Sequence, residues 1–413
     1  MKELLKKIIS DFIERDIQGI LPRDIDIPLN SKKIITLSGI RRSGKTSILF
    51  HTITTLRKTV ERENIIYINF EDDRLFPMDL KKCDTFIEAY YELFPGKRDE
   101  KIYLFFDEIQ IVENWELFIR RIYDTLAVSI FITGSSSKLT SSEIATSLRG
   151  RTITFEVFPL SFKEFLIFKG IKVNLYSSKS LSHINYQLKE YMDYGGFAEI
   201  LSEDKEIKRR ILSDYLDMIL FKDLIERFSI KNTVLMKNII KYCFNNISSL
   251  LSLNKLYNDY KSQGLKLGKD TLFEYFSHLE DAFAIFSIPI LKNSIKEENR
   301  NPKKLYAIDT GFKTIFETSL TSDTGRIYEN IVFLHLRRIT REIKYFKQNQ
   351  EVDFFAVIEK KRTLINVCYS INNNQTRERE IVGLLEAMET LHISQSWLIT
   401  SDAEETITIK RKK

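Results

Sequence analysis

Apolar positions along the chain change period several times, and each change marks an element. Ile8, Ile9, Phe12 and Ile13 recur at helical spacing among acids and lysines, which predicts an amphipathic opening helix. Four apolar runs follow: Ile34-Ile35-Thr36-Leu37, Ile65-Ile66-Tyr67-Ile68-Asn69-Phe70, Ile102-Tyr103-Leu104-Phe105-Phe106 and Val128-Ser129-Ile130-Phe131-Ile132. They are continuous rather than alternating, as in strands buried on both faces, so a parallel sheet covered by helices is expected. Segments of helical period separate them, at about Lys45 to Arg57, Phe86 to Phe94 (stopped by Pro95-Gly96) and Asn114 to Leu126. A last strand, Thr152 to Phe158, closes this part.

Beyond it the period is helical from Ser161 to Ile230, broken by a serine-rich loop at Ser177-Ser178-Lys179-Ser180. Three more helical patterns, an apolar run Ile285 to Leu291, a polar hairpin Lys292 to Lys304 and the strand Leu305 to Ile308 predict a winged-helix-like module. In such a module the third helix, from Lys269 to Phe283, would enter the major groove of double-stranded DNA. That helix sets Glu274, Glu280 and Asp281 against Lys269 and His278, so docking between domains stands beside DNA contact as its role. A helix opened by Gly325 and runs at Ile343, Glu351 and Leu364 then predict an α/β C-terminal domain.

At 413 residues, 43% apolar and 29% charged, the chain suits two or three globular domains rather than disorder. No apolar run approaches bilayer length, so no membrane association is expected. Cys83, Cys243 and Cys368 are far apart, without disulfide or zinc spacing, which points to a reducing, cytoplasmic setting. The net charge of +6 does not by itself indicate nucleic acid. Only Lys410-Arg411-Lys412-Lys413 is densely basic, as a solvated tail or a binding arm.

Candidate chemistry sits at the strand ends. Gly39-Ile40-Arg41-Arg42-Ser43-Gly44-Lys45-Thr46, with Ser47 next, has the spacing of a phosphate loop between strand and helix. The glycines let successive N–H groups surround a β-phosphate, Lys45 reaches the β- and γ-phosphates, and the Thr46 hydroxyl ligates Mg²⁺. Asp107-Glu108 ends the third apolar run as a Walker B strand does, with Asp107 holding Mg²⁺ and Glu108 polarising the attacking water. Thr133 or Ser135, at the next strand tip, either senses the γ-phosphate or belongs to a polar turn. Arg149 and Arg151 either stabilise transition-state charge, in cis or from a neighbouring subunit, or make surface ion pairs.

These motifs, with Trp115, Thr133-Gly134-Ser135-Ser136-Ser137, Leu148-Arg149-Gly150-Arg151 and Pro159-Leu160-Ser161-Phe162, resemble AAA+-type P-loop ATPases of archaea and bacteria that end in a nuclease-like domain of unknown function. The strand at 65–70, between loop strand and Asp-Glu strand, resembles the additional-strand, catalytic-glutamate branch, which favours ATP hydrolysis. The resemblance implies an α/β fold: an ATPase core over 1–160, a helical lid over 161–230, the winged-helix-like module over 231–305 and a PD-(D/E)XK nuclease-like domain over 306–413. It further implies ATP held by residues 39–46, Arg151 as the better arginine, Asn69 restraining Glu108, and a homo-oligomer as one assembly; Arg227, in the lid, reads as a structural salt bridge ahead of a second sensor. In the nuclease-like part, Glu329 and Asp353 stand where metal carboxylates belong. The third site reads Asn366-Val367-Cys368, lacking carboxylate and lysine, so cleavage is expected to be lost. A nucleotide-gated switch that binds DNA or protein with little turnover, and an active nuclease, are the rivals.

Overall fold

The computed structural model describes residues 1–135, 146–316 and 323–408. Five parallel strands form the first sheet: β1 (Ile34–Gly39), β2 (Ile65–Asn69), β3 (Ile102–Asp107), β4 (Val128–Ser135) and β5 (Thr152–Glu156), in the order β2-β3-β4-β1-β5. Every residue of β1 and β3 is buried, the consequence of runs apolar on both faces. On one face Leu37, Phe105 and Phe131 pack under the helix Lys45–Leu56, with the Phe105 and Phe131 rings stacked at 4.5 Å. On the other, Ile68, Leu104 and Ile132 meet the opening helix Lys2–Glu14 and the helices Leu80–Leu93 and Trp115–Thr125.

The strand order corrects one expectation. The strand at 65–70 lies at the sheet edge beyond β3, and the strand inserted between the loop strand and the Asp-Glu strand is β4. Chain order had suggested otherwise because a parallel sheet is threaded by crossovers, so neighbours in sequence need not be neighbours in space.

Helices Phe162–Phe168, Ser178–Tyr194 and Lys205–Met218 follow, the last continuing into an eight-residue π-helix, Ile219–Glu226. Next come the helix Thr233–Asn245, β6 (Ser249–Leu251), helices Leu253–Ser262 and Lys269–Asp281, β7 (Ile285–Ile288) and β8 (Lys303–Ala307), with an antiparallel sheet ordered β6-β8-β7. The β7–β8 connection, expected as a polar turn, holds a short helix, Ile295–Arg300, capped by Ser294. Because β8 runs to Ala307, the expected boundary after residue 305 falls inside a strand.

The C-terminal sheet is β12-β11-β10-β9, built from β9 (Ile343–Lys347), β10 (Glu351–Ile358), β11 (Lys361–Val367) and β12 (Ser396–Ile399). Helices Thr324–Ile339 and Asn374–Leu391 accompany it. One apolar cluster runs from Phe197 and Leu212 through Met236, Leu279 and Tyr306 to Phe333 and Phe354, so the three regions after the first sheet share a core. No helix among the described residues is long and apolar enough to cross a membrane. The three cysteines are free thiols.

Candidate nucleotide site

The loop after β1 is tightly built. A Cβ on Gly39 would lie 2.1 Å from the Val157 carbonyl oxygen, so the turn admits only glycine there. Gly44 takes φ +95° as N-cap of the helix Lys45–Leu56, turning the chain so that the first helical N–H groups face the loop. Ile40 and Ser43 are buried beneath it, while Ser47 is exposed on the helix. The Lys45 ammonium, 5% exposed, donates to the carbonyls of Gly39 and Ile40 at 3.0 Å each. Burial pulls its pKa down, and Glu108, Asp107 and Asp223 pull it back up.

Asp107, Thr46 and Thr133 converge. Asp107 accepts hydrogen bonds from Thr46 Oγ1 and Tyr67 Oη, both at 2.8 Å, and from Thr133 Oγ1. Burial pushes its carboxyl up, and the three hydroxyls oppose that shift. Thr133 Oγ1 also accepts the Glu108 backbone N–H at 3.0 Å, so one hydroxyl ties both acids to β4. Glu108 itself sits at φ +53°, just past the strand end. Gly134 and Ser135 pair with Ser38 and Gly39, while Ser136 and Ser137 lie outside the described residues, as does the basic run at 410–413.

Three sequence-derived candidates make other contacts. Arg151 accepts the Ile34 N–H at the start of β1, whereas the loop follows Gly39 at its end, about 16 Å of strand away. Its guanidinium pairs with Asp124 at 3.1 Å and lies over Tyr123, so it does not serve this chain's own phosphate site. Asn69 accepts the Glu71 N–H within its own turn, and the side chain that binds the Glu108 carboxylate is Gln110. Arg227 lies over the Phe228 ring, 4.3 Å from its centroid; the residue of that stretch that meets the loop is Asp223.

Four side chains make contacts that no pattern in the sequence predicts. Arg23 donates to the Ser43 and Phe158 carbonyls at 2.8 Å and to buried Glu164 at 2.7 Å, bracing the loop from below. Asp223, fully buried in the π-helix, accepts from Arg41 Nε at 2.9 Å. Arg42 pairs with Glu199 at 3.0 Å and lies over Tyr215. Gln110 is the fourth. Only their proximity in space identifies them: Arg23 and Asp223, for example, lie 20 and 182 residues from the loop residues they bond.

At the C-terminal sheet, Glu329 and Asp353 do come together, but around a lysine. The Lys304 ammonium, from β8, lies 2.6 Å from Asp353, 2.9 Å from Glu329 and 3.0 Å from Glu351. Asn366 accepts the Asp353 N–H at 2.9 Å and donates to Glu380 at 2.6 Å. Among the described residues no group of three or more His, Cys, Asp or Glu is arranged to hold a metal.

Loop, threonine, strand-end acids and the β2-β3-β4-β1-β5 order define the first part as a P-loop domain of AAA type, and the family described as an AAA domain matches residues 31–166. Residues 185–321 match a domain of unknown function (DUF8612). The chain belongs to the family of the uncharacterized protein MJ1544 of Methanocaldococcus jannaschii, to which it is 39% identical, with 100% of this chain and 92% of that protein covered. An uncharacterized protein of Haemophilus influenzae is 31% identical over 83% of this chain and 84% of its own length. Among solved structures, the Walker-type ATPase PABY2304 of Pyrococcus abyssi is similar at TM-score 0.44 and 15% identity, covering 76% of this chain and 95% of that one.

Proposed function

We propose that the chain binds ATP with Mg²⁺ and hydrolyses the γ-phosphate, coupling turnover to rearrangement of the regions that follow the first sheet. The observation that carries this reading is the bonded set Thr46–Asp107–Thr133–Glu108, which holds a hydroxyl, a metal-seeking carboxylate and a second acid at one strand end beside Lys45. Thr46 and Asp107 offer the hard oxygen donors that suit Mg²⁺, which when bound supplies charge neutralisation at the β- and γ-oxygens. Lys45 gives up its two carbonyl contacts to phosphate oxygens, and Glu108 orients water and accepts its proton.

The order helix, strand, two helices, two strands over residues 233–307 supports the winged-helix reading, and with it double-stranded DNA as a partner; a protein partner is the alternative. We further propose that the C-terminal domain is a nuclease-like fold without cleavage activity, because an ammonium stands among its carboxylates.

Phosphate release with and without double-stranded DNA tests the main reading. Wild type should turn over, and Lys45→Ala should lose at least about 10²-fold. Glu108→Gln should retain ATP without releasing phosphate. Equal turnover by wild type and Glu108→Gln would remove Glu108 from the mechanism, and nucleotide retention without turnover in wild type would favour the gated-switch alternative.

A further inference from the structure

Arg41 occupies the second variable position of the phosphate loop, yet its strongest contact is made far along the chain. Nε is 2.9 Å from Asp223 Oδ1, a carboxylate with no solvent exposure, on the π-helix Ile219–Glu226. Nη1 is only 3.6 Å from Glu71, whose side chain is about half exposed. The guanidinium is therefore gripped at one edge and loosely approached at the other. A planar fork held by Nε presents its Nη edge in a fixed direction, the geometry that suits a phosphate oxygen.

The surroundings say which direction matters. Arg41 lies within electrostatic range of Glu108 as well as Asp223 and Glu71, and Lys45 feels both Arg41 and Asp223. Two cations and the strand-end acids thus share one small region. A triphosphate brought there adds about four negative charges, more than Lys45 and one divalent cation neutralise. A pair serving only to join two parts of the chain has no need to lie inside the phosphate loop. π-helical turns, moreover, recur at functional sites.

We propose that Arg41 is the cation in cis that binds and stabilises the terminal phosphate, and that Asp223 is the positioning residue that aims it. Glu71 occupies the Nη edge and yields to phosphate, whereas Asp223 keeps its hold on Nε. The helical region thereby reads the terminal phosphate through a single side chain. The proposal rests on the ATPase reading and adds the arginine that Arg151 does not supply to its own site.

The test uses the full chain and the variants Arg41→Ala, Arg41→Lys, Asp223→Asn and the double Arg41→Ala/Asp223→Asn. Phosphate release at saturating ATP is measured beside affinities for ADP and for a non-hydrolysable ATP analogue. Arg41→Ala should lower turnover about 10²–10³-fold and abolish the preference for triphosphate over diphosphate, with ADP affinity nearly unchanged. Arg41→Lys should recover part of the affinity but little turnover. Asp223→Asn should lower turnover about tenfold, with no further loss in the double variant beyond Arg41→Ala. Should Asp223→Asn fail to fold, the two Arg41 variants decide the matter alone. A folded Arg41→Ala chain that keeps turnover and triphosphate preference overturns the proposal, as does an equal fall in ATP-analogue and ADP affinity. A wild-type chain without phosphate release fails the ATPase reading instead, and triphosphate preference then judges Arg41 separately.

Discussion

Thr133 concentrates the most chemistry into one side chain. Its hydroxyl donates to Asp107 and accepts the Glu108 N–H, so it fixes the Asp107 carboxylate and the backbone from which the second acid projects. Valine matches its shape and removes both bonds, leaving a buried acceptor and a buried donor unsatisfied. Thr133→Val should lower stability by about 1–3 kcal/mol and cut phosphate release by more than tenfold, whereas Thr133→Ser keeps both. Thermal unfolding read beside turnover separates the two losses; a variant that is stable and fully active would show that Thr133 does not set the acids. Sequence alone reaches this residue as a strand tip with two readings. Its partners are set by the register of β4 against β3, which the sequence does not state.

At the level of elements, Gly195-Gly196 explains how the P-loop domain joins the middle of the chain. Gly196 donates to Asp309 Oδ2 at 2.8 Å and accepts the Leu160 N–H at 2.7 Å, and Gly311 donates to Asp309 Oδ1 at 2.9 Å. Gly196 and Gly311 thus share one buried aspartate, and Gly196 in turn holds Leu160 at the end of the P-loop domain. A Cβ on Gly196 would lie 2.2 Å from the Leu160 carbonyl oxygen, a contact that only backbone movement relieves. Gly196→Ala should therefore destabilise by at least about 2 kcal/mol, measured by urea unfolding, and alter ATP turnover less than stability. An unchanged midpoint would mean the junction tolerates displacement. The strands and the phosphate loop are legible in the sequence because burial on both faces and the loop's glycine spacing leave local marks. The role of the Gly195-Gly196 pair leaves no such mark, since its reason is a carboxylate more than a hundred residues away. The helix Ile295–Arg300 escapes for a related cause: its mostly polar residues read as a turn, and only the Ser294 cap and the strands flanking it make a helix.

For the molecule as a whole, the Lys304 cluster decides how the C-terminal sheet is attached. The lysine comes from β8, the central strand of the middle sheet, while Glu329, Glu351 and Asp353 belong to the helix Thr324–Ile339 and to β10. The ammonium is 2% exposed, and burial lowers its pKa less than the three acids raise it, so it stays charged. Burial pushes Glu329 up to about 8, with Asp353 adding to the rise and Lys304 opposing it. Removing the lysine leaves Asp353, Glu351 and buried Glu329 without their shared counter-charge, so Lys304→Met should cost about 3–5 kcal/mol at neutral pH. The sign with pH is set by the carboxyls. Glu329, whose folded pKa is raised to about 8, holds its proton more tightly in the folded chain, so stability falls as pH rises from the ordinary carboxylate range to about 8. Lys304, whose folded pKa is raised, keeps its stabilising charge throughout that interval and loses it only above its unfolded value near 10.5. Lys304 opposes that rise, so in Lys304→Met the Glu329 proton is held to higher pH, and the gap between wild type and variant should widen as pH rises from about 8 toward about 10 in urea unfolding. An equal gap at both values would mean that Lys304 contributes packing rather than charge.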